Sequence, residues 1–346
     1  MRHAWKYART LRRGGVAAAM LATTFLGTTA ARAQDTEVAL RCAPFGSIMY
    51  VLGNAIQDLT RRGLPGIDVV NSEGPGSTAV TVNMLRQEPW RKSIGCTSLL
   101  DYAYAERGVA PFFDKPTPDV RKDVKVLFNG FYGAIGILTT NPSIKTAKDL
   151  DGKRLALGKL SQAHWGGLPS LFFKAGLPDV KVKMEFMGTD PSHEAMAEDR
   201  VEAIITQLVV SPDGSKAFKP GVVTQLFASG RKIHLVGFDD ATFKRAADAG
   251  VTFRPIEIGR KAVPEAASSD PIKWVFSPAA IAVHKDFPEE LAYKITKFII
   301  ESAGKLPEYD AMLNVIASPA GLLGDWTAAD LHPGAARAFR ESGALK

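Results

Sequence analysis

From residue 37 onward, short β-rich runs alternate with stretches whose apolar positions recur at helical spacing. Residues 37–41 (EVALR) predict a strand. Ser47 stands where a helix cap belongs, ahead of an apolar pattern that runs to about Arg62 and stops at Gly63 and Pro65. Residues 67–71 (IDVVN) predict a second strand, and 74–78 (GPGST) a turn that opens a helix to about Gln87. Residues 93–97 (SIGCT) predict a third strand, with a helix from Ser98 or Leu99 to Glu106. Strand and helix at this spacing imply a parallel sheet with helices on both faces.

A Pro-rich, charged loop (111–123) separates this series from two extended runs, 124–128 and 134–140. A second α/β series follows. Its strands are predicted at 154–157, 182–186, 203–206, 232–236 and 252–257, and its helices at 163–174, 192–199 and 241–249. After a polar loop at 259–272, residues 275–283 are extended. Residues 288–303 predict an amphipathic helix with Leu291, Ile295, Phe298 and Ile299 on one face. There is no internal repeat and no low-complexity segment.

Charge changes the picture at one end. The chain has 346 residues and a formal charge of +7, which invites a nucleic-acid reading. Residues 1–15, however, hold Arg2, Lys6, Arg9, Arg12 and Arg13 and no acid; an 11-residue apolar run (16–26) and Ala31-Arg32-Ala33 follow. That order describes a secretory signal peptide, residues 1–33, cleaved before Gln34. Removing it leaves 37 Lys and Arg against 36 Asp and Glu, and the electrostatic case for nucleic acid disappears. The expected product is an exported, periplasmic protein that acts as a monomer.

The five remaining histidines form no short metal spacing, and no nucleophile elbow, phosphate loop or dinucleotide fingerprint is present. Nothing points to an enzyme, a cofactor or a metal. Cys42 and Cys96, each near the end of a predicted strand, permit a disulfide in an oxidising compartment; two small buried hydrophobes are the favoured reading.

In open parallel sheets, ligands sit beyond the C-terminal strand ends. The turns there carry Phe45 and Ser47, then Gly76, Ser77 and Thr78, then Thr97 and Ser98. In the second series Lys159, Ser161, Gln162, His164 and Trp165 follow residues 154–157, and Gln207 follows 203–206. Helix N-termini with hydroxyls suit an anion such as a carboxylate, and Lys159 adds a full charge. Capping alone explains any one of these turns. Trp165 reads equally as a ligand wall or as core, His164 as a satisfied histidine rather than a metal ligand, and Gln207 as a cleft or loop amide.

Four stretches together resemble the TAXI family of solute-binding proteins, which serve TRAP transporters. They are 46–53 (GSIMYVLG), 74–85 (GPGSTAVTVNML), 143–158 (SIKTAKDLDGKRLALG), and the C-terminal pair 287–298 (FPEELAYKITKF) with 332–335 (HPGA). Ile48-Met49 stand where that family tends to place Thr-Tyr, and KLSQAHWGG (159–167) replaces its Gly/Ser/Thr-rich turn. The resemblance implies the two-lobed α/β fold of type II periplasmic binding proteins, each lobe a mainly parallel sheet flanked by helices. Lobe one is expected at 34–130 plus 280–346 and lobe two at 131–279, with hinge strands crossing near 129–134 and 277–281. The implied function is capture of a small polar, anionic solute, an organic acid or amino-acid-like, between the lobes, and delivery to membrane-embedded TRAP permease subunits. The alternatives are an ABC-type receptor of the thiamine-precursor or sulfonate kind, an exported two-lobed enzyme, or a ligand sensor.

Overall fold

The computed structural model describes residues 35–346 except 46, 111, 161 and 268–270. The predicted signal peptide therefore lies outside the described residues. Residues 35–346 form one compact unit. Its elements in chain order are β1 (Thr36–Arg41), α1 (Ile48–Gly63), β2 (Ile67–Ser72), α2 (Ser77–Arg86), α3 (Glu88–Arg91), β3 (Gly95–Ser98), α4 (Leu99–Arg107), α5 (Val120–Asp123) and β4 (Val124–Thr139). Then come β5 (Arg154–Leu157), a π-helical turn (Ala163–Gly167), α6 (Leu168–Gly176), β6 (Lys183–Phe186), α7 (Thr189–Ala197), β7 (Ala203–Val210), β8 (Ala217–Phe218), α8 (Gly221–Ala228), β9 (His234–Val236), α9 (Asp240–Asp248) and β10 (Arg254–Ile258). The chain closes with β11 (Ile272–His284), α10 (Glu289–Glu301), α11 (Pro319–Leu323) and α12 (Pro333–Glu341).

The backbone of the molecule is the antiparallel pair β4–β11, in register from Val124 opposite His284 to Ile135 opposite Val275. The two extended runs expected at 124–128 and 134–140 are thus one strand. Asn129-Gly130 interrupts the apolar pattern, yet the backbone stays extended, with register shifts between Ala279 and Ala280 and between Ile281 and Ala282. Parallel pairing, the pattern expected of alternating strands and helices, occurs away from this pair: β1 with β2, β5 with β6, and β5 with β7. β3 and β7 join the central pair antiparallel. Among the described residues the result is a curled mixed sheet of nine strands, with β1 and β2 as a separate two-stranded parallel sheet.

Both sheet faces are covered, which is why β4 and β11 read as nearly continuous apolar runs. One face packs Phe131, Ile135, Val275, Ala279, Ile205 and Val209; the other packs Tyr132, Ala134, Trp274, Phe276, Ile204 and Leu208. Gly136 lets β11 come close: a Cβ there would stand 2.1 Å from the Trp274 ring. The indole in turn donates its N–H to the Val236 carbonyl at 2.9 Å. On α1, Leu52, Ala55, Ile56 and Leu59 are buried while Asn54, Arg61 and Arg62 face solvent, an amphipathic stripe of helical period.

Cys42 and Cys96 are joined in a disulfide, with their Cα atoms 5.2 Å apart. This corrects the reading of two unlinked buried thiols; only the meeting of the β1 and β3 ends decides it. The bridge ties β3 to the loop after β1, where the Cys42 carbonyl accepts from the Gly76 N–H at 3.0 Å, just before α2. The sequence did not announce α3, α5 and α11, of four or five residues each, nor the longer α8. α8 follows Pro220, and only Val223 and Leu226 of its eight residues are buried, so its apolar residues show no clean stripe.

Replacing both cysteines with alanine is expected to cost about 4 kcal/mol of unfolding free energy, from the chain-entropy relation for a 54-residue separation. Gly136→Ala is expected to cost about 2 kcal/mol or more, by overpacking against Trp274. Denaturant unfolding monitored by tryptophan fluorescence reads both.

Candidate ligand-binding site

On the Phe131 face, three adjacent strands break their apolar sequence at one place. β4 runs Phe131, Gly133, Ile135; β11 runs Val275, Ser277, Ala279; β7 runs Ile205, Gln207, Val209. Gly133 pairs directly with Ser277, and Ile135 with Gln207, so glycine, hydroxyl and amide share one spot on the sheet. The Gln207 side chain fills the room that Gly133 leaves: its Nε2 lies 2.5 Å from where a Cβ on Gly133 would stand. Gln207 is 4% exposed and Nε2 has no hydrogen-bond partner. A buried amide donor in that condition costs roughly 1–3 kcal/mol until something accepts from it.

His164 covers this notch. It sits in the π-helical turn before α6, a backbone form often found at functional sites. Its Nε2 is 3.1 Å from Ser277 Oγ, and its ring stands edge-on to Phe131 at 6.2 Å. Burial holds its pKa below the ordinary histidine value, against the opposing pull of Asp101. The imidazole is therefore neutral at pH 7.

Asp101 belongs to a second polar group that the sheet brings alongside. Ser98, the last residue of β3, pairs with Ala279, two residues along β11 from Ser277 and on the same face. That spacing is roughly 7 Å. Ser98 caps α4 by accepting from the Asp101 N–H at 3.1 Å, and its hydroxyl donates to Asp101 Oδ2 at 2.7 Å. Thr78, in the first turn of α2, donates to Asp101 Oδ1 at 2.5 Å. Thr81 donates to Thr97 at 3.0 Å beside them. Thr78, Thr97, Ser98 and Asp101 are all essentially inaccessible. Tyr104, one turn further along α4, is 4% exposed, and its hydroxyl has no partner. Burial, then Asp101, pushes its pKa well up.

Of the residues singled out in the sequence, Thr78, Thr97 and Ser98 thus gather around Asp101, and His164 and Gln207 around Ser277. Gly76, at φ 100°, is the turn before α2, and Ser77 is the first residue of that helix. Ser47 caps α1, accepting from the Tyr50 N–H at 3.2 Å. Phe45 is 78% exposed with its ring against Tyr50. Lys159 is exposed, and its backbone N–H donates to the Gln162 side chain at 2.8 Å. Trp165 is half-buried and stands edge-on to His193, which bonds Thr206 on the other sheet face. Ser161 lies outside the described residues. An open concavity lined by Lys125, Glu289, Pro333, Arg337 and Arg340 contains none of these groups.

Asp101, Tyr104, Ser277 and Gly133 were missed. The first had a signal, since Ser98-Leu99-Leu100-Asp101 fits a cap followed three residues later by an acid, close to the capping-box pattern. Ser277 and Gly133 acquire meaning only through register.

The NMT1-like family model matches residues 40–343. The chain belongs to the NMT1-like family. Among solved structures, this NMT1-like protein is similar to MatC from Rhodopseudomonas palustris with bound malate, at 13% identity over 88% of this chain and 96% of that one, with a TM-score of 0.52. It also matches the periplasmic binding protein BugD (14% identity, 90% and 98% covered, TM-score 0.49) and a TctC solute-binding protein from Polaromonas (14%, 89% and 98%, TM-score 0.45). The fold is the two-lobed α/β architecture of the periplasmic binding proteins.

Burial also lowers the pKa values of His193, His284 and His332. A depressed histidine pKa means that the unfolded chain binds more protons, so stability is lost as pH falls below about 6.5. Urea unfolding between pH 8 and 5 is expected to show this slope, at most about 1.4 kcal/mol per pH unit for each histidine. His164→Gln is expected to make the slope shallower.

Proposed function

We propose that this NMT1-like chain is the exported solute-binding receptor of a TRAP transporter of the TAXI kind. It takes a small polar organic solute, with the oxygen acceptors of an organic acid or amino acid, between two lobes. The lobes are residues 34–130 with 280–346, and 131–279. The protein closes on the solute and presents it to membrane-embedded permease subunits, catalysing nothing. The observation that carries this reading is the notch where Gly133, Ser277 and Gln207 interrupt three apolar strands and leave a buried amide donor unpartnered. Membership of the NMT1-like family supports it, as does the fold shared with malate-bound MatC. So do the four TAXI-like stretches and the basic, apolar, A-x-A start of the sequence.

Closure excludes water, and each hydrogen bond to the solute then acts in a low dielectric. The solute drives closure only by its greater affinity for the closed form. Ser98 and Ser277 lie on β3 and β11, beside the expected hinge, so a solute held between them would bind at the crossing strands.

Mass spectrometry of denatured, freshly purified protein is expected to reveal a co-purified small organic molecule. Adding it back to ligand-free protein at 100 times its Kd is expected to raise stability by about 2.7 kcal/mol, read as an upward shift of Tm. Gln207→Leu, which removes the amide but keeps the volume, is expected to weaken binding about tenfold. Ligand-free protein that no small organic molecule stabilises would overturn the proposal.

A further inference from the structure

Of the ion pairs between described residues, one joins the two lobes proposed above: Arg254 of β10 with Asp325, beyond α11, at 2.9 Å. Both ends are anchored to the crossing strands. Arg254 is the register partner of Phe276 in the β10–β11 ladder, and its guanidinium lies over the Phe276 ring, 4.0 Å from the centroid. Phe276 in turn stacks on Tyr132 at 5.7 Å. On the other lobe, Gly324 packs so closely that a Cβ there would stand 2.9 Å from the Tyr132 hydroxyl and 3.1 Å from Asn129. Trp326 donates its indole N–H to the Asn129 side chain at 3.3 Å. Arg254, Phe276, Tyr132 and Asp325 therefore close a ring of contacts around the expected hinge.

Phe276 and Tyr132 belong to the sheet face opposite the notch. Bending the ribbon so that the lobes close over the notch stretches that opposite face. A contact across it is made while the notch side is open and is pulled apart as the notch side shuts. A pair this exposed contributes little to folding, but two forms of one protein differ by so little that the same contribution shifts their populations severalfold. Resting on the receptor reading above, we propose that Arg254 and Asp325 are positioning residues: touching no solute, they hold the lobes open across the back of the hinge and so set solute affinity through the closed fraction. Removing the pair then tightens binding, the opposite of what loss of a binding residue does.

The test uses the mature chain, disulfide intact, freed of co-purified molecules by partial denaturation and dialysis. Nitroxide labels are placed at Arg86→Cys on α2 and Lys174→Cys on α6, both exposed and one on each lobe. Pulsed electron paramagnetic resonance then reads the populations of open and closed distances. Asp325→Asn and Arg254→Gln are each expected to raise the closed-to-open ratio about threefold, and the double variant no further. Asp325→Glu, which keeps the charge, is expected to stay near wild type. Sodium chloride at about 0.5 M is expected to raise the wild-type ratio in the same direction and to leave Asp325→Asn unmoved. A merely structural role would lower Tm without moving the ratio. An unchanged ratio in the folded variants, or a shift toward the open form, overturns the inference and leaves the receptor reading standing. Should a variant fail to fold, the salt response of the wild type decides. A single inter-lobe distance in the wild type, unmoved by salt, together with no co-purified molecule, counts against the receptor reading and the inference with it.

Discussion

The antiparallel pairing of β4 with β11 is the constraint on which the rest depends. These strands carry ladder partners along most of their length, so they cannot move as free linkers. β3 and β7 attach to them from opposite sides, and the parallel strands β5 and β6 attach further out through β7. Every element that holds a candidate site residue therefore refers its position back to one two-stranded ribbon. Its irregularities fall between Ala279 and Ala280 and between Ile281 and Ala282, where a twisted pair most readily bends.

The two polar groups of the site follow from this ribbon in different ways. Ser277 belongs to the ribbon and meets His164 from the turn before α6. Ser98 reaches the ribbon through the β3 ladder and brings Asp101 and Thr78 with it. The disulfide secures that second group indirectly, because it ties the β3 end to the loop whose Cys42 carbonyl holds the approach to α2. The exposed ion pairs, such as Lys244–Asp248 and Lys122–Asp119, contribute little by comparison.

The alternating framework was legible because each element announces itself locally. The Ser47 cap, the Gly63 and Pro65 stop and the apolar stripe of 288–303 act through their own sequence neighbours. The same local logic located the hydroxyl-bearing turns. What escaped was whatever depends on residues far apart in the chain. β4 looked broken at Asn129-Gly130, but that asparagine is held by the distant Gly321 carbonyl and Trp326 indole. The disulfide required two strand ends to meet. The notch required that Gly133 and Ser277, neither marked by its sequence neighbours, be set beside Gln207 by register. The hydrophobic period shows which face a residue takes but not which residue lies across from it.

The fit of the Gln207 amide over Gly133 couples two positions 74 residues apart through packing alone. A Cβ at 133 fits only if the Gln207 amide swings aside, and the Ser277 carbonyl, 2.9 Å from that Cβ, leaves little further room. Anyone reshaping this notch should therefore vary positions 133 and 207 as a pair.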